Sequence, residues 1–321
     1  VVVPLFDEEH GIAELHRRVT AACRDLGLTS YEFILVNDGS RDGTLEKAIQ
    51  LASEDAHIIV LDLARNYGHQ VALSAGLEFC HGERIFVIDA DLQDPPELLG
   101  PMMGRMDEGY DVVYGLRTRR SGESRFKLAS ARIFYRLLRK LSETEIVENA
   151  GDFRLMSRRA LDHLNAMPER FRFIRGMVSW IGLRQSAMPY EREPRFAGTT
   201  HYPLRKMVRL AVDAITSFSV VPLRIASSLG VAFGFLGLLV LAYTLYAWAA
   251  GNSIQGWTSL AGLILILGSV QMFMLGIFGE YLGRVYIEVK RRPLYIVNEV
   301  IRGGEHPAAL PRGEAGNQIH A

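Results

Sequence analysis

Short apolar runs and longer amphipathic stretches take turns along the first third of the chain. Residues 1–4, Val1-Val2-Val3-Pro4, form an apolar run too short for a helix, and residues 9–26 then repeat apolar side chains at helical spacing. The exchange recurs at 31–37 and 44–54, and again at 57–63 and 69–80, before a further predicted strand at 84–89. Strands alternating with helices predict an α/β domain around a parallel sheet. In such sheets ligands bind beyond the carboxyl ends of the strands. The polar residues just past those ends are therefore the first candidates for chemistry: Asp7-Glu8, Asp38, Arg65-Asn66 and Asp89-Ala90-Asp91.

The pattern changes completely further on. From Ile225 to Gly279 there is no Asp, Glu, Lys, Arg or His in 55 consecutive residues. A run of that length holds two membrane spans of about 20 residues each, predicted near 223–249 and 257–281. Arg205, Lys206, Arg209 and Arg224 precede the run, and Arg284, Lys290, Arg291 and Arg292 follow it. This bias predicts both termini on the cytoplasmic side. Two further stretches precede the spans in sequence. Residues 117–140 carry nine Lys or Arg against one acid, Glu123, interleaved with apolar residues, and residues 204–222 are amphipathic. Both patterns suit an anionic membrane surface, and the first also suits a phosphate. Residues after Gly303 are rich in Gly, Pro and polar side chains and predict disorder.

Composition narrows the partners. The 321 residues carry no net formal charge, so nothing points to nucleic acid. The two cysteines, Cys23 and Cys80, have no spacing partner for a metal or redox pair. The sharpest local feature is Asp89-Ala90-Asp91 after the apolar strand. Alternate residues at a strand end turn two carboxylates toward one space, where they repel unless a cation lies between them. Oxygen ligands favour Mg²⁺ or Mn²⁺, with Gln93 either a third ligand or a group that supports the ligands.

The chain resembles glycosyltransferase family 2, in the branch of dolichyl-phosphate mannose synthase and bactoprenol glucosyltransferase. Val3-Pro4-Leu5-Phe6-Asp7-Glu8-Glu9, Val36-Asn37-Asp38-Gly39-Ser40, Arg65-Asn66-Tyr67-Gly68-His69-Gln70 and Asp89-Ala90-Asp91-Leu92-Gln93-Asp94-Pro95-Pro96-Glu97 carry the resemblance. So do Gly151-Asp152-Phe153-Arg154-Leu155, Ser217-Phe218-Ser219 and Pro222-Leu223-Arg224. It implies a GT-A (Rossmann-like) nucleotide-sugar transferase domain at 1–203 and an amphipathic interface helix at 204–222. A two-helix transmembrane hairpin at 223–283 and a cytoplasmic tail at 284–321 would follow. The implied reaction is inverting and metal-dependent: a sugar passes from a nucleotide-sugar donor to polyprenyl phosphate at the cytoplasmic face of the inner (plasma) membrane. UDP-glucose is the favoured donor, and undecaprenyl phosphate the acceptor in a bacterial host.

By the same resemblance Pro4, Phe6, Glu8 and Asp38 line the nucleotide pocket with Asp89, while Asp89, Asp91 and Gln93 hold Mg²⁺ or Mn²⁺. Asp152 lies on the acceptor side of the reacting carbon, and Arg195 closes over the donor phosphates. Arg117, Arg120, Arg125 and Lys127 are candidates for the acceptor phosphate. A homo-oligomer, in the form of a tetramer, is implied as well. Two positions depart from the family pattern: Asp7 stands where Asn is usual, and His201 where Lys is common. His69 and Gln70 also read as caps of the helix they begin. Competing readings are mannosyl or aminoarabinosyl transfer to the same acceptor, and a non-catalytic lipid-phosphate-binding membrane protein.

Overall fold

The structure is a computed structural model, and it describes residues 1–118, 150–192, 221–251 and 256–304. The chain divides into two compact units, one from Val1–Ala129, Ile146–His201 and Pro293–Ala321, the other from Ser130–Glu145 and Tyr202–Arg292.

The first unit is built on one eight-stranded sheet. Its strands are β1 (Val2–Leu5), β2 (Phe33–Asn37), β3 (Ile58–Leu63), β4 (Arg84–Val87), β5 (Val112–Arg117), β6 (Ala150–Ser157), β7 (Gln185–Tyr190) and β8 (Val297–Arg302). Their order is β7-β5-β6-β4-β1-β2-β3-β8. The central pairs β1–β2, β1–β4 and β2–β3 are parallel, as the alternating pattern predicts. These strands are buried almost throughout, which is why they read as unbroken apolar runs rather than alternating ones. The sheet is nonetheless mixed, since β6 runs antiparallel to β4 and β5, and β8 antiparallel to β3.

Helices α1 (Ile12–Asp25), α2 (Thr44–Glu54), α3 (His69–Phe79), α4 (Leu99–Asp107), α5 (Arg158–Asn165) and α6 (Ile174–Ile181) accompany it. Helix α1 buries Ile12, Leu15, Val19 and Cys23 against the face that carries Val3, Leu5, Phe33 and Leu35. Helix α3 takes the other face, with Gly76 packed directly on Val2 and Val36. On the β5 side, Phe153 meets Phe86 and Tyr190 edge to face at 5.3 and 5.4 Å. Gly115 makes room for that aromatic row, because a Cβ there would overlap both Phe153 and Tyr190.

The stretch 284–321, expected as a tail, contributes β8 to this sheet. Its pattern is that of a half-buried edge strand, so the apolar signal is diluted. The predicted disorder beyond it falls almost wholly outside the described residues.

The second unit contains α7 (Val221–Ala249) and α8 (Trp257–Val289). Mean hydropathy reaches 2.2 in Val221–Ala247 and 2.0 in Gly262–Val289. Large apolar side chains such as Phe235, Leu238, Phe273 and Leu275 are exposed along both. Helices apolar on every side and this long match a bilayer core of about 30 Å at about 1.5 Å per residue. Pro222 sits in the first turn of α7, where its missing N–H breaks no helical bond. Helix α8 continues past the predicted end of the span, and an Arg284–Glu280 pair at 3.0 Å joins successive turns there. Residues 204–220 and nearly all of the basic stretch at 117–140 lie outside the described residues.

Candidate active site

The parallel strands β1 to β4 of the first unit end along one edge of the sheet. After β4 the chain leaves the sheet and turns at Ala90-Asp91, with Ile88, Ala90, Asp91 and Leu92 buried and Asp89 and Gln93 half-buried. Leu92 closes this segment at φ 57°, a conformation that bulky side chains rarely take and that structures retain where a loop must be held in one shape.

Asp89 Oδ1 is buried and makes no hydrogen bond among the described residues; its nearest partner is His69 Nε2 at 3.5 Å. Asp91 accepts from Gln93 N at 3.2 Å and from Arg192 Nη2 at 3.4 Å. An orphaned carboxylate oxygen beside a second carboxylate fits a hard divalent cation, which commonly takes only one or two protein carboxylates and completes its shell with phosphate oxygens and water. No group of three or more His, Cys, Asp or Glu side chains is gathered for a metal among the described residues. The pair therefore fits Mg²⁺ or Mn²⁺ as a partial ligand set.

Asp152, on β6, is 1% exposed and is surrounded by donors. Arg175 reaches Oδ1 with Nε at 3.0 Å and Oδ2 with Nη2 at 3.1 Å. Gln70 Nε2 donates to Oδ2 at 2.8 Å, and His69 Nε2 lies 3.2 Å from the same oxygen. The buried Arg154 guanidinium is 3.8 Å from Oδ1 and donates to the carbonyls of Gly151 and Asp152. A carboxylate this deep without partners would cost several kcal/mol, so the surrounding cations are what let it stay ionised. Burial alone would raise its pKa; Arg175 and His69 instead hold it well below the usual carboxylate range. Burial would lower His69, but Asp152 and Asp89 raise it to about 9. Burial brings Arg154 down to about 10 against the pull of Asp152, still charged.

The other predicted residues divide into several groups. Asp38 is 2% exposed, and its oxygens accept from Tyr67 N at 2.7 Å and Gly68 N at 2.9 Å. It thus holds the loop that leads into α3. Gly39, at φ 64°, lies so close to the backbone of Arg65 and Asn66 that any Cβ would collide. At the end of β1, Pro4 is buried, Phe6 is 40% exposed, and Glu8 N donates to Thr44 Oγ1. Arg117 is drawn toward Asp94: its Nη2 is 3.5 Å from Asp94 Oδ2, and its Nε donates to the Tyr190 hydroxyl at 3.1 Å. Arg120, Arg125, Lys127, Arg195 and His201 lie outside the described residues.

Arg154 and Arg175, the arginines that read from the sequence as buried partners for Asp152, both lie against it, whereas the surroundings of Asp94 do not read from the sequence. Asp94 is fully buried, takes the Tyr190 hydroxyl as a donor and lies 3.6 Å from Arg192 Nε. Burial and the charge of Asp94 push the Tyr190 phenol up, so it stays a donor. Arg192 therefore bridges Asp91 and Asp94. His69 and Gln70 do not cap α3, which has no side-chain cap; both reach across to β6. A third acid after Asp89 and Asp91 is visible in the sequence, but nothing there marks Tyr190 or Arg192.

Residues 1–164 match a family model described as glycosyl transferase family 2, and residues 221–285 one described as GtrB C-terminal hairpin. The chain is 43% identical over 300 residues to an uncharacterized glycosyltransferase, YkcC, of Bacillus subtilis, with 93% of each chain covered. It is 40% identical over 305 residues to a prophage bactoprenol glucosyl transferase homolog of Escherichia coli, covering 94% of this chain and 98% of that one. A solved glucosyl-3-phosphoglycerate synthase of Mycobacterium tuberculosis, in complex with Mn²⁺, UDP-glucose and phosphoglyceric acid, is 21% identical over 67% of this chain and 76% of that one. Its TM-score is 0.45, too loose a likeness to bear on residue roles.

Proposed function

The chain belongs to glycosyl transferase family 2, and from that premise we propose that it moves a sugar, glucose first, from UDP-sugar to a polyprenyl phosphate at the cytoplasmic membrane face, with inversion at the anomeric carbon. The observation that carries this reading is the placement of Asp89 and Asp152 at 3.5 and 3.2 Å from one imidazole nitrogen. A donor-side carboxylate and an acceptor-side carboxylate then face one small space, as a single displacement requires. The similarity to bactoprenol glucosyl transferases and the two long apolar helices support a lipid-borne acceptor.

Mg²⁺ or Mn²⁺ held by Asp89 and Asp91, with Gln93 beside them, would neutralise the charge that develops on the departing nucleoside diphosphate. An oxygen of the acceptor phosphate attacks the anomeric carbon. The bond from that carbon to the diphosphate oxygen breaks, and its electron pair leaves with UDP. The second pKa of a phosphate monoester is about 6, so the attacking oxygen is already ionised and no proton has to be removed. Asp152 is unsuited to be a base in any case, since Arg175, His69 and Gln70 occupy both its oxygens. It anchors Arg175, whose side chain remains 30% exposed and supplies positive charge for an incoming phosphate. Two crossings return the chain to the face it left, which fits β8, C-terminal to both apolar helices, completing the same sheet as β1. The Lys and Arg flanks of the two helices support the cytoplasm as that face.

Full-length protein in detergent, given undecaprenyl phosphate, Mn²⁺ and radiolabelled UDP-glucose, is expected to carry label into the lipid phase, and to lose that transfer on chelation. Label from UDP-galactose, UDP-N-acetylglucosamine or GDP-mannose instead would change the sugar and keep the reaction. Absence of lipid label from all four donors would defeat the proposal.

A further inference from the structure

Helix α3 begins with two side chains that do nothing for their own helix. His69 and Gln70 make no cap bond, and both extend to Asp152 on a strand more than eighty positions away. Gln70 is used at both ends: Nε2 donates to Asp152 Oδ2 at 2.8 Å, and Oε1 accepts from Ile174 N at 3.0 Å. That backbone N–H belongs to the first residue of α6, the helix whose next residue, Arg175, grips the same carboxylate. One amide therefore joins α3, β6 and α6, and its orientation is fixed because only one end can donate. His69 adds a link of a different kind. Its Nε2 lies between Asp152 Oδ2 and Asp89 Oδ1, the oxygen that has no hydrogen bond among the described residues.

We propose that His69 and Gln70 are positioning residues for the transfer: Gln70 sets the orientation of Asp152, and His69 fixes its distance from Asp89. The inference rests on the reading of Asp89 as donor-side and Asp152 as acceptor-side. Neither residue touches the nucleotide in this scheme, so removing them lets the two halves of the cleft drift while donor binding persists. Misplacement by about 1 Å is enough to cost on the order of 100-fold in rate.

The test uses full-length His69→Ala, His69→Gln, Gln70→Ala and Gln70→Glu in detergent. UDP-glucose and undecaprenyl phosphate serve for turnover, and UDP with Mn²⁺ for binding. Expected are a roughly 10- to 100-fold fall in kcat for both alanine variants, UDP affinity kept within about threefold, and partial recovery in His69→Gln, which retains a donor. Gln70→Glu keeps the acceptor for Ile174 N but sets a carboxylate against Asp152, and is expected to be no better than Gln70→Ala. Unchanged turnover, or UDP affinity that falls in step with turnover, would overturn the proposal. Should the wild type itself transfer nothing, the functional reading fails separately, and thermal melts of His69→Ala, Asp152→Asn and the double variant still decide the linkage. Non-additive shifts support it, and additive shifts sink it.

Discussion

Asp7 holds its backbone at φ 54° and its Oδ1 accepts from Arg41 N at 2.8 Å. Asn and Asp tolerate that left-handed conformation better than other non-glycine residues, and an amide oxygen accepts the same bond. Asp for Asn at this position therefore preserves the loop and changes only the charge. At Asp91 the charge is what the proposed chemistry uses. Asp91→Asn keeps the shape, and initial rates of lipid labelling are expected to fall at least about 100-fold, in line with the several kcal/mol that a bound metal contributes. A fully active variant would remove Asp91 from the metal. Asp152→Asn is expected to cut turnover while UDP titrations change little; a collapse of UDP affinity would move Asp152 to the nucleotide pocket. Asp7, Asp89 and Asp91 are legible in the sequence because each follows a strand, while Asp152, inside β6, is named only by the resemblance. The pairs His69–Asp152 and Arg192–Asp91 are not legible, because they span 83 and 101 positions and exist only through the strand order.

Among the elements, the central strands and their helices were readable because burial on two faces leaves unbroken apolar runs, and one-sided burial leaves a 3.6-residue period. Strand β6 could not be assigned a direction this way, since periodicity does not report whether a strand pairs parallel or antiparallel. Two elements of the fold make checkable claims. The aromatic row across β4, β6 and β7 depends on Gly115, and Gly115→Ala is expected to lower stability by about 1–3 kcal/mol through overpacking. A thermal melt unchanged from wild type would mean the row has slack. At the end of α2, Asp55 accepts from His16 Nε2, His57 N and His57 Nδ1. Burial would raise its carboxyl, but these donors hold it below 3.8. A depressed carboxyl stabilises the fold above its unfolded value and loses that contribution as pH falls through the folded one. The stability gap between wild type and Asp55→Asn should thus be present at neutral pH and shrink below pH 3.8, as read by denaturant melts across that range. A gap independent of pH would mean Asp55 acts by packing alone.

At the scale of the molecule, the two-helix insertion splits the first unit in sequence without splitting its sheet. Segment 293–298 is tied to the rest by Tyr295 on Glu78, Ala64 N on the Ile296 carbonyl and Asn298 on Asp62. A chain ended at Leu223 would lose all of these and bare the outer edge of β3. Its nucleotide affinity is expected to drop and its solubility to suffer, against a fully behaved soluble domain if β8 is dispensable. That dependence was hidden in the sequence because six residues, four half-buried and two exposed, after two apolar helices give too weak a pattern to separate from a tail.

Strand β8 also sets an order of events in biosynthesis. Asp62 and Asn298, joined at 2.8 Å, are 236 positions apart. At about 5–20 residues per second, the ribosome needs on the order of ten to fifty seconds to make what lies between them. Throughout that interval β3 has no outer neighbour, while both apolar helices emerge and must be taken up by the insertion machinery. In the proposed membrane arrangement, the last strand then arrives from a chain already threaded through the bilayer and returned. The nascent enzyme is thus completed only after it is anchored, and an active pool of untethered protein is not expected on the way.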